Sequence, residues 1–150
     1  MLIQTLKFLF NRDLNKLKNE IELYQNESDI WKIKDQINNS AGNLCLHLVG
    51  NLNTYIGKEL GGTDYTRNRK LEFSSKDIPK QELINRIENT IEIVNQTLDN
   101  LNENLLENEF PILVFDNKTT TAYLLVHLTT HLAYHVGQIN YHRRLLDNSQ

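Results

Sequence analysis

Proline occurs only twice and glycine six times in this 150-residue chain. Between those breakers, apolar residues recur every three to four positions. That is the period of an α-helix with one buried face, so long helices dominate what the chain can fold into. Leu6, Phe10, Leu14, Leu17, Ile21 and Tyr24 mark a first helix from about residue 2 to 24. Ser40, a good N-cap, opens a second, with Leu44, Leu48, Leu52, Tyr55 and Ile56 on its apolar face and Gly61-Gly62 closing it. Pro79 suits the first turn of a third helix, whose Leu83, Ile84, Ile87, Ile91, Val94, Leu98 and Leu101 carry it to about residue 102. Thr119 or Thr120 caps a fourth that ends near Leu146. The pattern predicts an all-α fold, a four-helix bundle forming one domain over residues 1–150.

The connections read as irregular. Residues 25–39 hold Trp31, a ring suited to pinning a loop on the core, and residues 63–77 hold Arg67, Arg69 and Lys70. In residues 103–118, Ile112 to Phe115 allow one short extended segment, too little for a sheet. Sixteen Lys and Arg against nineteen Asp and Glu give a net charge of -3. Nucleic acid is therefore not the expected partner, since phosphate binding needs a basic surplus. The single cysteine, Cys45, excludes an intramolecular disulfide framework and reads as a small core hydrophobe. No apolar run approaches the ~18–20 residues that cross a bilayer. Gln4, Thr5 and Lys7 interrupt the apolar cluster at the start, which continues as helix rather than as a signal peptide. The expectation is a cytoplasmic protein with no membrane partner.

The chemistry is concentrated in histidines. The last helix carries His127, His131 and His135 at intervals of four, and His142 seven further on, beside Arg143 and Arg144. Four residues advance a helix by about 400°, so His131 and His135 project from adjacent turns of one face and can share a metal. His127 lies one turn earlier on the same side. Such a pair alone is a weak signal, but Leu124, Leu128, Val136 and Ile139 flank it and point the row inwards. Buried imidazoles without partners are costly, so an inward row asks for a metal or a polar network. His47, between Leu44 and Leu48 on the second helix, is a candidate third ligand. Three such histidines from two helices suit Zn²⁺, Ni²⁺ or Fe²⁺, with coordination positions left for water or substrate. The zincin reading of HLAYH fails because Leu132 stands where the general-base Glu belongs. No Glu-x-x-His pair supports a carboxylate-bridged iron site.

Three stretches, LHLVGNLNTYIGKELGG at 46–62, TDYTRNRKLEF at 63–73 and HLTTHLAYHVGQINYHRR at 127–144, resemble the DinB-like superfamily, in a branch of mostly unknown function. The resemblance covers essentially the whole chain. It implies a four-helix bundle with long crossover connections, a homodimer, and a divalent metal held by His47, His131 and His135. It leaves His127 as a neighbour of the metal or a replacement ligand. Activities of the superfamily include transfer of low-molecular-weight thiols and a thiol-dependent isomerisation. Leu132 departs from relatives that carry an acidic residue there, which leaves a carboxylate base unassigned.

A metal on three neutral histidines would lower the pKa of a bound water or thiol. That fits a thiol S-transferase or a hydrolase acting on a small molecule, with Zn²⁺ or Ni²⁺ first among the metals and a low-molecular-weight thiol as cofactor. The alternative is a non-catalytic metal-binding or stress-response interaction module. Asn51, one turn after His47, and Gln138, seven after His131, fall near the metal face, although Asn and Gln at helix interfaces are commonly structural. Arg67 and Arg69 are candidates for an anionic substrate group, against the plainer reading of solvated loop charges.

Overall fold

A computed structural model describes residues 1–147. It is all-helical: α1 (Leu2–Leu23), α2 (Ala41–Leu52), α3 (Arg69–Ser74), α4 (Lys80–Asn100) and α5 (Thr121–Leu146). Two short 3₁₀ segments, Glu27–Trp31 and Glu103–Glu107, sit in the connections. Among the described residues there is no strand. Two isolated bridges, Lys34 with Ile37 and Glu109 with Thr120, are the extended pairing among those residues.

The helices begin where side-chain chemistry allows. Ser40 accepts from the Asn43 amide at 3.1 Å and Thr120 from the Tyr123 amide at 3.1 Å, each satisfying a donor that the first helical turn leaves open. Pro79 falls one position earlier than expected: it is the residue before α4, extended at ψ 139°, with Lys80 as the first helical residue. The second helix does end at the glycine pair, where Gly62 takes φ +72°. It is not α-helical to that point, however. After Leu52 the chain widens into a π-helical segment, Asn53–Lys58, marked by bonds from the amides of Glu59 and Gly61 to carbonyls five residues back.

Helix α1 packs on α4 and α5, and α2 packs on α4 and α5 from the other side. Ile3, Leu6, Phe10, Leu14, Leu17 and Ile21 of α1 are buried at the three–four spacing of their sequence. Each such Leu or Ile contributes about 1.5–3 kcal/mol by leaving water. They meet Leu83, Ile87 and Val94 of α4 and Leu125, Leu128 and Leu132 of α5 in one core. Trp31 packs against that core as expected.

Helix α2 differs from the amphipathic expectation: every residue from Ala41 to Leu52 is buried. The reason is α3, formed inside what the sequence presents as a loop. Asn43 donates through Nδ2 to the carbonyls of Glu72 (2.9 Å) and Ser75 (2.8 Å), fastening α3 across the polar side of α2. Ile112 to Phe115 form no strand, but Phe115 and Val114 rest on the core.

Candidate metal centre

His47 reaches the site from the middle of α2, and His131 and His135 come from successive turns of α5. One ring nitrogen from each lies within 4.8 Å of the other two. His47 Nε2 and His131 Nε2 are 3.2 Å apart. Two nitrogens on one tetrahedral zinc, each about 2.0–2.1 Å from it, stand roughly 3.3 Å apart, so the spacing fits a shared ion. The ring centroids of His135 lie 5.3 Å from His47 and 4.6 Å from His131, both edge-on.

The far side of each ring decides which nitrogen is left for a ligand. His47 Nδ1 is 3.1 Å from Glu72 Oε1. His135 Nδ1 is 2.7 Å from Gln138 Oε1. In both, an Nδ1–H donating to oxygen leaves Nε2 bare, the form a metal needs. His131 has no such partner: its Nδ1 is buried without a hydrogen bond. Burial holds His131 down to about 4 from an ordinary 6.5, helped by the nearby His135, His47 and His127 and by Arg67. His135 is lowered by burial and by His47, against the opposing bond from Gln138. The two α5 imidazoles are therefore neutral at physiological pH. Two neutral imidazoles, one with a desolvated, unbonded nitrogen, beside a third on α2 are what a divalent ion would stabilise, and the residues fit one.

The other expected residues divide. His127 is outside the trio: its ring stands 4.8 Å from Phe115 and stacks 6.2 Å from His131. Asn51 is buried one turn from His47, and its Oδ1 has no partner. Arg69 is exposed, 5.9 Å over the Phe73 ring. Arg67, the other candidate for an anionic group, is turned onto α3. Its Nε and Nη2 donate to Glu72 Oε2 (2.8 Å) and Oε1 (3.0 Å), and its guanidinium lies 5.9 Å over the Tyr55 ring. Cys45 is fully buried with its thiol pushed up to about 12, so it is neither ligand nor nucleophile at neutral pH.

Glu72 is the residue the sequence reading missed. Burial alone would raise its carboxyl pKa, but bonds from His47 and Arg67 outweigh this and hold it below the usual carboxylate range. Its only sequence signal is its place in TRNRKLEF, a segment taken there as loop. A cleft of about 420 Å³ opens beside Gln138, lined by Leu44, Asn38, Tyr141 and Leu145 among others and by no Asp, Glu, Lys or Arg. Leu44 faces the later part of α5 there, so α2 and α5 run antiparallel and Asn51 lies on the opposite side of the trio, towards His127.

The fold and site define a class: all-helical proteins in which three imidazoles lie close enough to share one ion. Residues 2–150 match the family described as "Protein of unknown function (DUF1572)", and the chain belongs to that family. The fold is similar to that of a conserved protein from Enterococcus faecalis solved by crystallography, with a TM-score of 0.75, 15% identity, and 95% of each chain covered. No curated protein matches the sequence.

Proposed function

We propose that this chain is a metal-dependent enzyme of the DinB-like kind, a four-helix bundle whose His47, His131 and His135 hold one divalent transition metal, Zn²⁺ or Ni²⁺. The observation that carries the reading is the convergence of three imidazoles, two of them with Nδ1 bonded so that Nε2 stays bare. A divalent ion on three neutral histidines lowers the pKa of a water or thiol beside it, making hydroxide or thiolate available near neutral pH. The reaction classes that follow are transfer of a low-molecular-weight thiol to an electrophile and hydrolysis.

The chain's own groups set limits on both. Gln138 holds the His135 ring and borders the cleft, which otherwise lies to one side of the three histidines. Asn51 Oδ1, buried on the other side of the trio, is free to accept a hydrogen bond from water. Both oxygens of Glu72 are engaged by His47 and Arg67, so it is not a free general base. That engagement favours the second reading, a metal-binding or stress-response module without turnover. Purified protein loaded with Zn²⁺ or Ni²⁺ and screened with low-molecular-weight thiols and electrophiles separates the two. Turnover lost in His131→Ala supports the enzyme; stoichiometric metal with no turnover supports the module. A homodimer belongs to the same proposal, and a monomer mass in light scattering at micromolar concentration contradicts it. No helix among the described residues is long and apolar enough to cross a membrane.

A further inference from the structure

Helix α3 is one and a half turns long, and Glu72 is its only buried residue. A buried carboxylate needs compensation, and this one is surrounded by it. Arg67 grips it with two bonds, and His47 Nδ1 meets Oε1 at 3.1 Å. Backbone shape contributes too. A Cβ at Gly50 would stand 2.0 Å from Glu72 Oε2, so only glycine on that turn of α2 admits the carboxylate. Asn43 fixes the α3 backbone carbonyls of Glu72 and Ser75, and the Phe73 ring lies 5.1 Å from the His47 ring. Two side chains, Arg67 and Asn43, and one missing side chain, at Gly50, thus converge on the placement of a single carboxylate against His47.

We propose that Glu72 is a positioning residue for the metal site, fixing His47 in the Nδ1–H tautomer so that Nε2 is presented to the ion, and that Arg67 and Gly50 serve to hold Glu72 there. The inference rests on the metal reading above for its consequence, though not for its geometry. His47 Nδ1 also lies 3.4 Å from Arg67 Nη2. An Nδ1 without hydrogen could accept from Arg67, but its lone pair would then face the lone pairs of Glu72 Oε1 at shorter range. The proton therefore belongs on Nδ1. Carboxylates bonded to the outer nitrogen of a ligating histidine orient the ring and raise its basicity, and losing one typically weakens metal binding about 10–100-fold. Leu132 follows His131, and the carboxylate nearest the trio instead meets the ring on α2.

The test has two readouts. In metal-free protein, nitrogen NMR of the imidazoles reports the His47 tautomer; in zinc titrations against a chromophoric chelator, the Kd is measured. Wild type is expected to show Nδ1–H with Nε2 bare. Glu72→Ala and Gly50→Ala are expected to shift His47 towards Nε2–H and to raise the zinc Kd about 10–100-fold. Glu72→Met, similar in length but without an oxygen to accept from Nδ1–H, covers the case where truncation unfolds the protein, with circular dichroism checking each variant. A wild-type Nε2–H tautomer overturns the proposal. So does a variant whose tautomer is unchanged, whatever its affinity, because a merely structural role would lower affinity without moving the proton. If wild-type protein shows the Nδ1–H tautomer but binds no zinc, it is the metal reading that fails.

Discussion

Helix α5 holds histidines in two opposite circumstances. His142, near its end, is as buried as any core residue, and both its nitrogens are used: Nδ1 lies 2.7 Å from Tyr24 Oη and Nε2 2.8 Å from the Lys32 carbonyl. Around it the end of α5 is tied to α1, with Asn140 and Arg143 donating to Glu20 and Asp147 accepting from the amides of Gln25 and Asn26. His131, three turns back, has a buried Nδ1 with no partner and two imidazoles pressed against it. One region satisfies its polar atoms and contributes stability. The other leaves them unsatisfied, which is how a binding site looks when its requirements exceed what the protein supplies.

The largest expected effect separates the two in metal affinity. His47→Ala, His131→Ala and His135→Ala should each weaken zinc binding by more than the roughly 100-fold at which losing an outer-shell partner tops out, while His142→Ala retains one equivalent in equilibrium dialysis. Should all four bind alike, the contrast collapses.

Stability should reverse the order. His142→Ala strands Tyr24 Oη and the Lys32 carbonyl and opens a hole in the interior, costing roughly 2–4 kcal/mol in urea unfolding. Burial holds the His142 imidazole below its ordinary pKa, more than the Lys32 bond raises it. The unfolded chain thus takes up the proton first, so stability is full above pH 6.5 or so and declines as pH falls towards the folded value. His131, held down to about 4, acts in the same direction. Urea midpoints of metal-free protein should fall between about pH 6.5 and 4; a flat profile there contradicts the burial of both groups. In the absence of metal, His131→Leu should gain about 1–2 kcal/mol by removing the unbonded nitrogen, while abolishing zinc binding. A loss of that size would mean Nδ1 has a partner after all.

The smallest effect is expected at His127, whose ring packs on Phe115 outside the trio. Its Ala variant should lose about 1 kcal/mol and keep its metal. If instead it loses the metal while His47→Ala keeps it, the ligands are three residues of α5.

The legible part of the molecule was the part encoded locally. The α1 and α4 faces, the Ser40 and Thr120 caps and the His131–His135 pair follow from spacings of three or four, which a helix converts directly into neighbours. The illegible part depends on contacts between distant segments. His142 is one of several polar residues near the end of α5 until Tyr24, 118 positions away, closes over it. Glu72 lies 25 residues from His47 on a helix with no periodic signal, and Gly50 reads as an ordinary helical glycine until the carboxylate fills the space a Cβ would take. His47 itself needed the motif as well as its spacing, because α2 is buried on every side and so shows no distinguishing face.

The most direct test is a crystal grown with one equivalent of zinc and measured at the zinc absorption edge. A single anomalous peak is expected about 2.0–2.1 Å from Nε2 of His47, His131 and His135, with His127 and His142 unliganded. A peak bound elsewhere, or no peak in protein saturated with zinc, contradicts the account.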